Sequence, residues 1–174
     1  MNRKQAVLER TQQTDFTFEK PSVDDGAKMW QLVVDSGVLD ENSPYSYLMM
    51  CKFYQDTCIV AKKDDEIAGF VTAFKPPEKD DAVFVWQIGV SQKFRGNGLG
   101  TKILKALLNS EACKDVSYLE ATVSPSNIPS ESLFRGMADK FETDCEVTGC
   151  FKEDDFPGDE HESERLFRIG PIKK

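Results

Sequence analysis

Residues 90–108 read "VSQKFRGNGLGTKILKALL" and place Gly96, Gly98 and Gly100 between the apolar run "AVFVWQIGV" (82–90) and a segment of helical periodicity. Where a strand enters a helix through glycines, backbone N–H groups converge without Cβ obstruction, and the helix dipole adds partial positive charge. Such a junction holds phosphate. A P-loop requires Lys then Ser or Thr directly after its last glycine, and here Thr101 precedes Lys102; the Rossmann fingerprint requires G-x-G-x-x-G in a parallel βαβ unit. Neither pattern fits. What remains is R-x-x-G-x-G over Arg95–Gly100, in a locally basic setting, "QKFRGNG" and "TK", within an acidic chain. The plain alternative is a tight strand-to-helix turn with no binding duty.

Working outward, Ile103, Leu104, Leu107 and Leu108 share one face of the helix that follows. Upstream, "DFTFEK" alternates as a strand, and "SVDDGAKMWQLVVDSG" carries Ser22 and Asp25 as a capping-box-like pair with Gly37 as its stop. "ENSPYSYLMMCKFY" predicts a second helix with Ser43 as N-cap and Pro44 in its first turn. "TCIVAKKDDEIAGFVTAF" reads as a hairpin around Asp64 and Asp65, and the run at 82–90 adds a third antiparallel strand. "VSYLEATV" predicts another strand and "PSESLFRGMADK" another helix. The tail predicts strands at about 143–151 and 164–169, joined by the acidic "EDDFPGDEHESE". The order β-α-α-β-β-β-α-β-α-β-β is α+β, about four helices on a mostly antiparallel sheet. Residues 1–14 are polar without an apolar stripe and read as a flexible N-terminus; residues 15–174 read as a single domain.

The totals narrow the partners. Net charge is −8, so the field around the molecule repels nucleic acid and anionic membrane and draws in cations. A small cationic substrate suits it better than DNA. The apolar runs are far shorter than the roughly 20 residues of a membrane-spanning helix, and the polar N-terminus lacks a secretory core, so the expected location is cytoplasmic. Five cysteines without a C-x-x-C pair predict reduced thiols, and a single histidine argues against a metal site.

The Arg95–Gly100 loop after "IGV", and the element "SNIPSESLFR" with Asn127, Ser130, Leu133 and Phe134, resemble the GNAT N-acetyltransferases. That resemblance implies a mixed, mostly antiparallel sheet whose strands four and five splay around acetyl-CoA. It also implies coenzyme contacts from Ile88, Gly89 and Val90 on strand four, from Arg95, Gly96, Asn97, Gly98, Leu99, Gly100 and Thr101 on the pyrophosphate loop, and from Asn127, Ser130 and Phe134. Within this superfamily, "DENSPYSYL", "VWQIGV" and "ATVSPSN" resemble the diaminobutyrate acetyltransferases of ectoine biosynthesis. These transfer acetyl to the γ-amine of L-2,4-diaminobutyrate, and the resemblance implies a homodimer. The alternatives are a GNAT enzyme acting on a polyamine, an aminoglycoside or a protein N-terminus, and a non-catalytic acyl-CoA-binding module.

A diamine with one carboxylate calls for carboxylates in the pocket and a neutral or cationic group for the acid end. The candidate acids are Asp40 and Glu41 between the first two helices, and Glu120 beside Leu119 and Ala121 in mid-strand. Trp86 offers an indole face to an amine, worth roughly 0.5–2 kcal/mol. Thr122, Asn127 and Tyr45 offer neutral hydrogen bonds, and His161 is a further substrate candidate. An amine of pKa near 10 must lose a proton before it attacks a thioester. Glu120 is the first choice of base, with Asp40 or Glu41 second. The Ile88 N–H, at an expected bulge of strand four, receives the developing oxyanion. Many GNAT enzymes place a tyrosine where this chain has Phe134, which cannot protonate the leaving thiolate. Tyr45, another hydroxyl or water substitutes, or the thiolate leaves unprotonated.

Overall fold

The computed structural model describes residues 15–174. The expectation for residues 1–14 lies outside the described residues. The element order agrees with the sequence: β1 (Thr17–Glu19), α1 (Val23–Ser36), α2 (Pro44–Phe53), β2 (Ile59–Lys63), β3 (Glu66–Phe74), β4 (Ala82–Val90), α3 (Leu99–Leu108), β5 (Tyr118–Val123), α4 (Ile128–Lys140), β6 (Asp144–Phe151) and β7 (Glu164–Gly170). The strands form one seven-stranded sheet in the order β1-β2-β3-β4-β5-β7-β6. Every neighbouring pair is antiparallel except β4 and β5.

Local signals operate where the sequence placed them. The Ser22 N–H donates to Asp25 Oδ2 at 2.8 Å, closing the start of α1. Gly37 ends that helix in the left-handed region at φ 64°. Asp64 and Asp65 are both left-handed, φ 50° and 63°, which matches the twist of a two-residue hairpin and aligns β2 against β3.

Two apolar layers clasp the sheet. On one face α1 and α2 bring Met29, Leu32, Val33 and Tyr47 onto Val60 and Phe70. On the other, α3 and α4 bring Ile103, Leu104, Leu107, Phe134 and Met137 onto Val71, Val83, Leu119 and Ala121. These α3 and α4 side chains are almost fully removed from water. At about 25 cal/mol per Å² of apolar area, each large one contributes roughly 1.5–3 kcal/mol.

Two irregularities shape the site. β4 pairs with β5 in parallel only from Ala82↔Tyr118 to Val85↔Ala121. β5 then stays with β7 as far as Val123↔Arg165, while β4 follows β3 to Val90↔Gly69, so the two strands part beyond Val85. The second irregularity is a bulge: Thr72 faces Gln87 while Ala73 faces Val85, so the extra residue is Trp86. It lies two residues before Ile88, where the sequence placed it, because the register slips where the pairing with β5 stops.

Candidate active site

The parting of β4 from β5 frees backbone donors. Ser91 N–H bonds to Ala68 C=O at 2.9 Å. Antiparallel alternation then points the amides of Gly89 and Gln87 at β3 and turns those of Ile88 and Val90 into the gap. These two donors are available to an extended ligand laid along β4.

At the mouth of the gap lies the glycine junction. Gly96 and Gly98 are left-handed, φ 81° and 64°, and nothing stands within 4 Å of where a Cβ would be. Gly98 is the N-cap of α3, and the helical ladder begins with Lys102 N–H to Gly98 C=O at 3.1 Å. The amides of Leu99, Gly100 and Thr101 are thereby left over for an anion at the positive end of the helix. The Leu99 side chain is buried in the core, so its share in such a site is its backbone. Asn97 donates its side-chain amide to Phe94 C=O at 3.0 Å, bracing the loop from within.

Two cavities meet in the gap. The larger, about 720 Å³, is lined by Arg95, Gly100, Val90, Leu133 and His161. The smaller, about 350 Å³, is lined by Trp86, Gln87, Thr122, Phe134, Phe151 and Phe156. Asp40, Ile88, Asn127, Ser130 and Glu164 belong to both walls and mark the junction. Asn127 is the N-cap of α4, its Oδ1 accepting the Ser130 N–H at 3.2 Å. Gly89 lines the larger cavity, and a Cβ there would come within 2.9 Å of Leu39 Cδ1. The bare backbone lets the α1–α2 loop lie directly on β4, and Asp40 follows Leu39 into the junction.

The candidate acids separate. Glu120 is 1% exposed, and Lys79 Nζ lies 2.8 Å and 3.1 Å from its two carboxylate oxygens while Arg168 grips Oε1. It lines neither cavity, since its neighbour in the paired part of β4 is Phe84. Glu41 lines neither cavity, whereas Asp40 lines both. The carboxylate at the junction that sequence reasoning missed is Glu164, at the head of β7. Burial pushes its carboxyl above the ordinary glutamate range, with His161 and the neighbouring Thr122 drawing it partly back. A carboxylate so raised is a stronger proton acceptor near neutrality. In the sequence it was one of seven acids between residues 153 and 164, with nothing local to set it apart.

Trp86 is 42% exposed, as a bulge residue over an open cavity should be. His161 stacks on Phe156 with centroids 3.7 Å apart and lines the larger cavity beside Glu160 and Glu162. Tyr45 stands exposed on the first turn of α2, outside both cavities. The buried hydroxyl of that helix is Tyr47, which donates to Gln87 Oε1 at 2.7 Å. Phe134 is buried against the smaller cavity and brings no donor. All five cysteines are free, and burial pushes the Cys51 and Cys58 thiols up to about 11 and about 12.

A splayed parallel pair, amides facing the gap and a helix N-terminus with free amides are together what an acyl-coenzyme A site requires. The chain belongs to the acetyltransferase (GNAT) family, whose profile matches residues 26–138. Within it, the chain is 57% identical over 159 residues to the L-2,4-diaminobutyric acid acetyltransferase of Marinococcus halophilus, covering 91% of this chain and 92% of that protein. It is 53% identical over 173 residues to the enzyme of that name from Shouchella clausii, covering 99% and 96%. Among solved structures it resembles the diaminobutyrate acetyltransferase EctA of Paenibacillus lautus, in complex with its substrate L-2,4-diaminobutyric acid and coenzyme A. That match has a TM-score of 0.87 and 39% identity, covering 92% of this chain and 98% of the other.

Proposed function

We propose that this protein transfers the acetyl group of acetyl-CoA to the γ-amine of L-2,4-diaminobutyrate, giving the N-γ-acetyl compound that ectoine synthesis consumes. The observation that carries the reading is the junction itself, where the Ile88 amide and the carboxylates of Asp40 and Glu164 border both cavities. The similarity to diaminobutyrate acetyltransferases over nearly the whole chain supports the choice of amine.

The amides of Leu99, Gly100 and Thr101, with Arg95, hold the diphosphate. Val90 N–H takes a carbonyl of the pantetheine arm, and Ile88 N–H receives the thioester oxygen. In the smaller cavity Asp40 pairs with the α-ammonium, Trp86 packs over the amine, and Thr122 and Asn127 offer neutral hydrogen bonds to the carboxylate. Glu164, in place of Glu120, takes the proton from the γ-ammonium directly or through a water. The freed lone pair attacks the carbonyl carbon, and Ile88 N–H stabilises the oxyanion. As the tetrahedral intermediate collapses, the nitrogen gives up its second proton to solvent and the C–S bond breaks. With Phe134 lining the site, the leaving sulfur departs as a thiolate, tolerable at a thiol pKa near 8.5. Free thiols fit a cytosolic location, and the apolar outward residues Tyr45, Leu48 and Phe53 of α2 fit a homodimer.

Thiol release from acetyl-CoA, followed spectrophotometrically over a panel of amines, tests the reading. Turnover highest with L-2,4-diaminobutyrate is the expected result. Equal or faster turnover with ornithine, lysine or spermidine would refute the substrate, and no turnover with any amine would refute the enzyme.

A further inference from the structure

The α1–α2 loop carries Asp40 into the junction, yet it is an irregular segment over a strand. Its first residues are tied locally: Ser36 Oγ accepts the N–H of Leu39 at 3.1 Å. Farther along, the Gln87 Nε2 donates to Asp40 C=O at 2.8 Å, and Gln87 Oε1 accepts the Tyr47 hydroxyl at 2.7 Å. The orientation of that amide follows from its partners. A carbonyl oxygen only accepts, so the NH₂ end must face Asp40 and the oxygen must face Tyr47. Tyr47 itself is 1% exposed, packed edge-on against Phe70 with centroids 6.1 Å apart, so its hydroxyl is fixed by the core. A rigid element of α2 therefore reaches the backbone of Asp40 through one side chain of β4.

Gln87 is an unexpected residue for this position. Gln87 is half-buried, and two residues along the strand Gly89 lies under Leu39, Phe70 and Leu32, so a hydrophobic side chain at 87 would extend that apolar layer toward Tyr47. An amide among such neighbours is costly unless both its ends are bonded, and here both are. Gln87 also directly precedes Ile88, whose amide faces the gap. One short stretch of backbone thus fixes both the thioester oxygen and the loop that meets the substrate's other end.

We infer that Gln87 is a positioning residue for substrate selection: bridged between Tyr47 and the Asp40 backbone, it sets the Asp40 carboxylate at the distance of a second ammonium, and so favours diamines over monoamines. This rests on the reading of Asp40 as the partner of the α-ammonium. The amide touches neither reacting atom.

The test compares kcat/KM for L-2,4-diaminobutyrate with that for 4-aminobutyrate, which lacks the α-ammonium. Gln87→Met should lower the preference for the diamine about five- to tenfold, the worth of one hydrogen bond, with the coenzyme Kd unchanged. Hydrogen exchange at the amides of residues 39–42 should accelerate. Adding Tyr47→Phe removes the hydroxyl that has lost its Gln87 acceptor and keeps only Asn42, so Tm should recover in part while the preference does not. A purely structural role predicts that the two recover together, and that result would overturn the inference. So would an unchanged preference in Gln87→Met, or unchanged exchange in the loop. Asp40→Asn supplies the separate control: if it keeps the full preference, the reading of Asp40 falls and the inference with it, whatever the exchange data show about the tether.

Discussion

The Lys79 ammonium lies 2.8 Å from Glu120 Oε1, and Arg168 from β7 grips the same oxygen from the other side. A carboxylate at 1% exposure between two cations has its lone pairs committed. Arg168 also stacks over Tyr118 at 3.6 Å from the ring centroid, so the cluster staples β5 to β7. Glu120→Ala should therefore act on stability, leaving two cations short of a partner. Removing one member of a buried pair costs about 3 kcal/mol, toward the lower end here because Lys79 can turn to solvent. Urea denaturation should show that loss, with kcat within a few-fold of the parent. A hundredfold loss of kcat in a folded variant would return Glu120 to the chemistry.

Glu164 carries the opposite expectation. Glu164→Gln keeps the shape and removes the proton acceptor, which is worth 10²–10⁴-fold in rate for a general base. Steady-state kinetics should show that drop, with the coenzyme Kd unchanged by calorimetry. Parent-like turnover would exclude Glu164 as the base.

The pH dependence follows from the direction of its shift. Burial raises the Glu164 carboxyl above the ordinary glutamate range. A base works only when ionised, so activity is present above that raised pKa and is lost as pH falls through it. The acid limb of kcat/KM should therefore lie above the usual range of a solvated glutamate near 4.3, and Glu164→Gln should abolish it. A limb at or below that range in the parent enzyme would show that the titrating group is another.

Gly98→Val tests the phosphate cradle. The residue is left-handed at φ 64° and its missing Cβ faces open space, so the substitution adds strain of roughly 1–2 kcal/mol and puts a branched side chain into the proposed phosphate site. Coenzyme affinity should fall at least tenfold in a variant that still folds. Calorimetry giving the parent Kd would contradict the assignment of this loop.

Asp25 offers a stability test remote from the site. Burial pushes its carboxyl up, but hydrogen bonds from the Ser22 backbone and Lys62, with the Lys62 charge, outweigh this and hold it below its usual value. A depressed carboxyl contributes stability above its unfolded pKa and loses it as pH falls through the folded one. Asp25→Asn should cost about 1 kcal/mol at pH 7, the scale of a lost helix cap. The gap between the urea midpoints of parent and variant should be fully present above the ordinary carboxyl range near 3.9 and narrow as pH falls below it. A gap that stays constant from pH 7 to pH 3 would show that the charge is irrelevant.

Features carried by a few adjacent residues were legible in the chain. Ser22 with Asp25, Ser43 with Pro44, the Asp64–Asp65 turn and the glycines at 96 and 98 each encode a local backbone state, and each was found where expected. The tyrosines of α2 were harder. Tyr45 and Tyr47 lie two residues apart, about 200° around a helix, so one is exposed and the other buried, and the orientation of α2 on the sheet selects which. The bulge was misplaced by two residues for a similar reason: no residue type in "VWQIGV" marks where a partner strand leaves.

What the chain by itself determined was the succession of elements and the glycine turn at the head of α3, because caps, turns and glycine conformations depend on neighbours within about four residues. Which acids reach the cleft was decided only in three dimensions. Glu120 and Thr122 are two apart on one strand and share a face, yet β4 stays paired opposite Glu120 and has departed by Thr122, so the first is enclosed and the second lines the cavity. Glu164 joins Thr122 through the β5–β7 register, across more than forty residues of intervening chain. Pairing between distant segments sets such a neighbourhood, and side-chain identity carries no record of it.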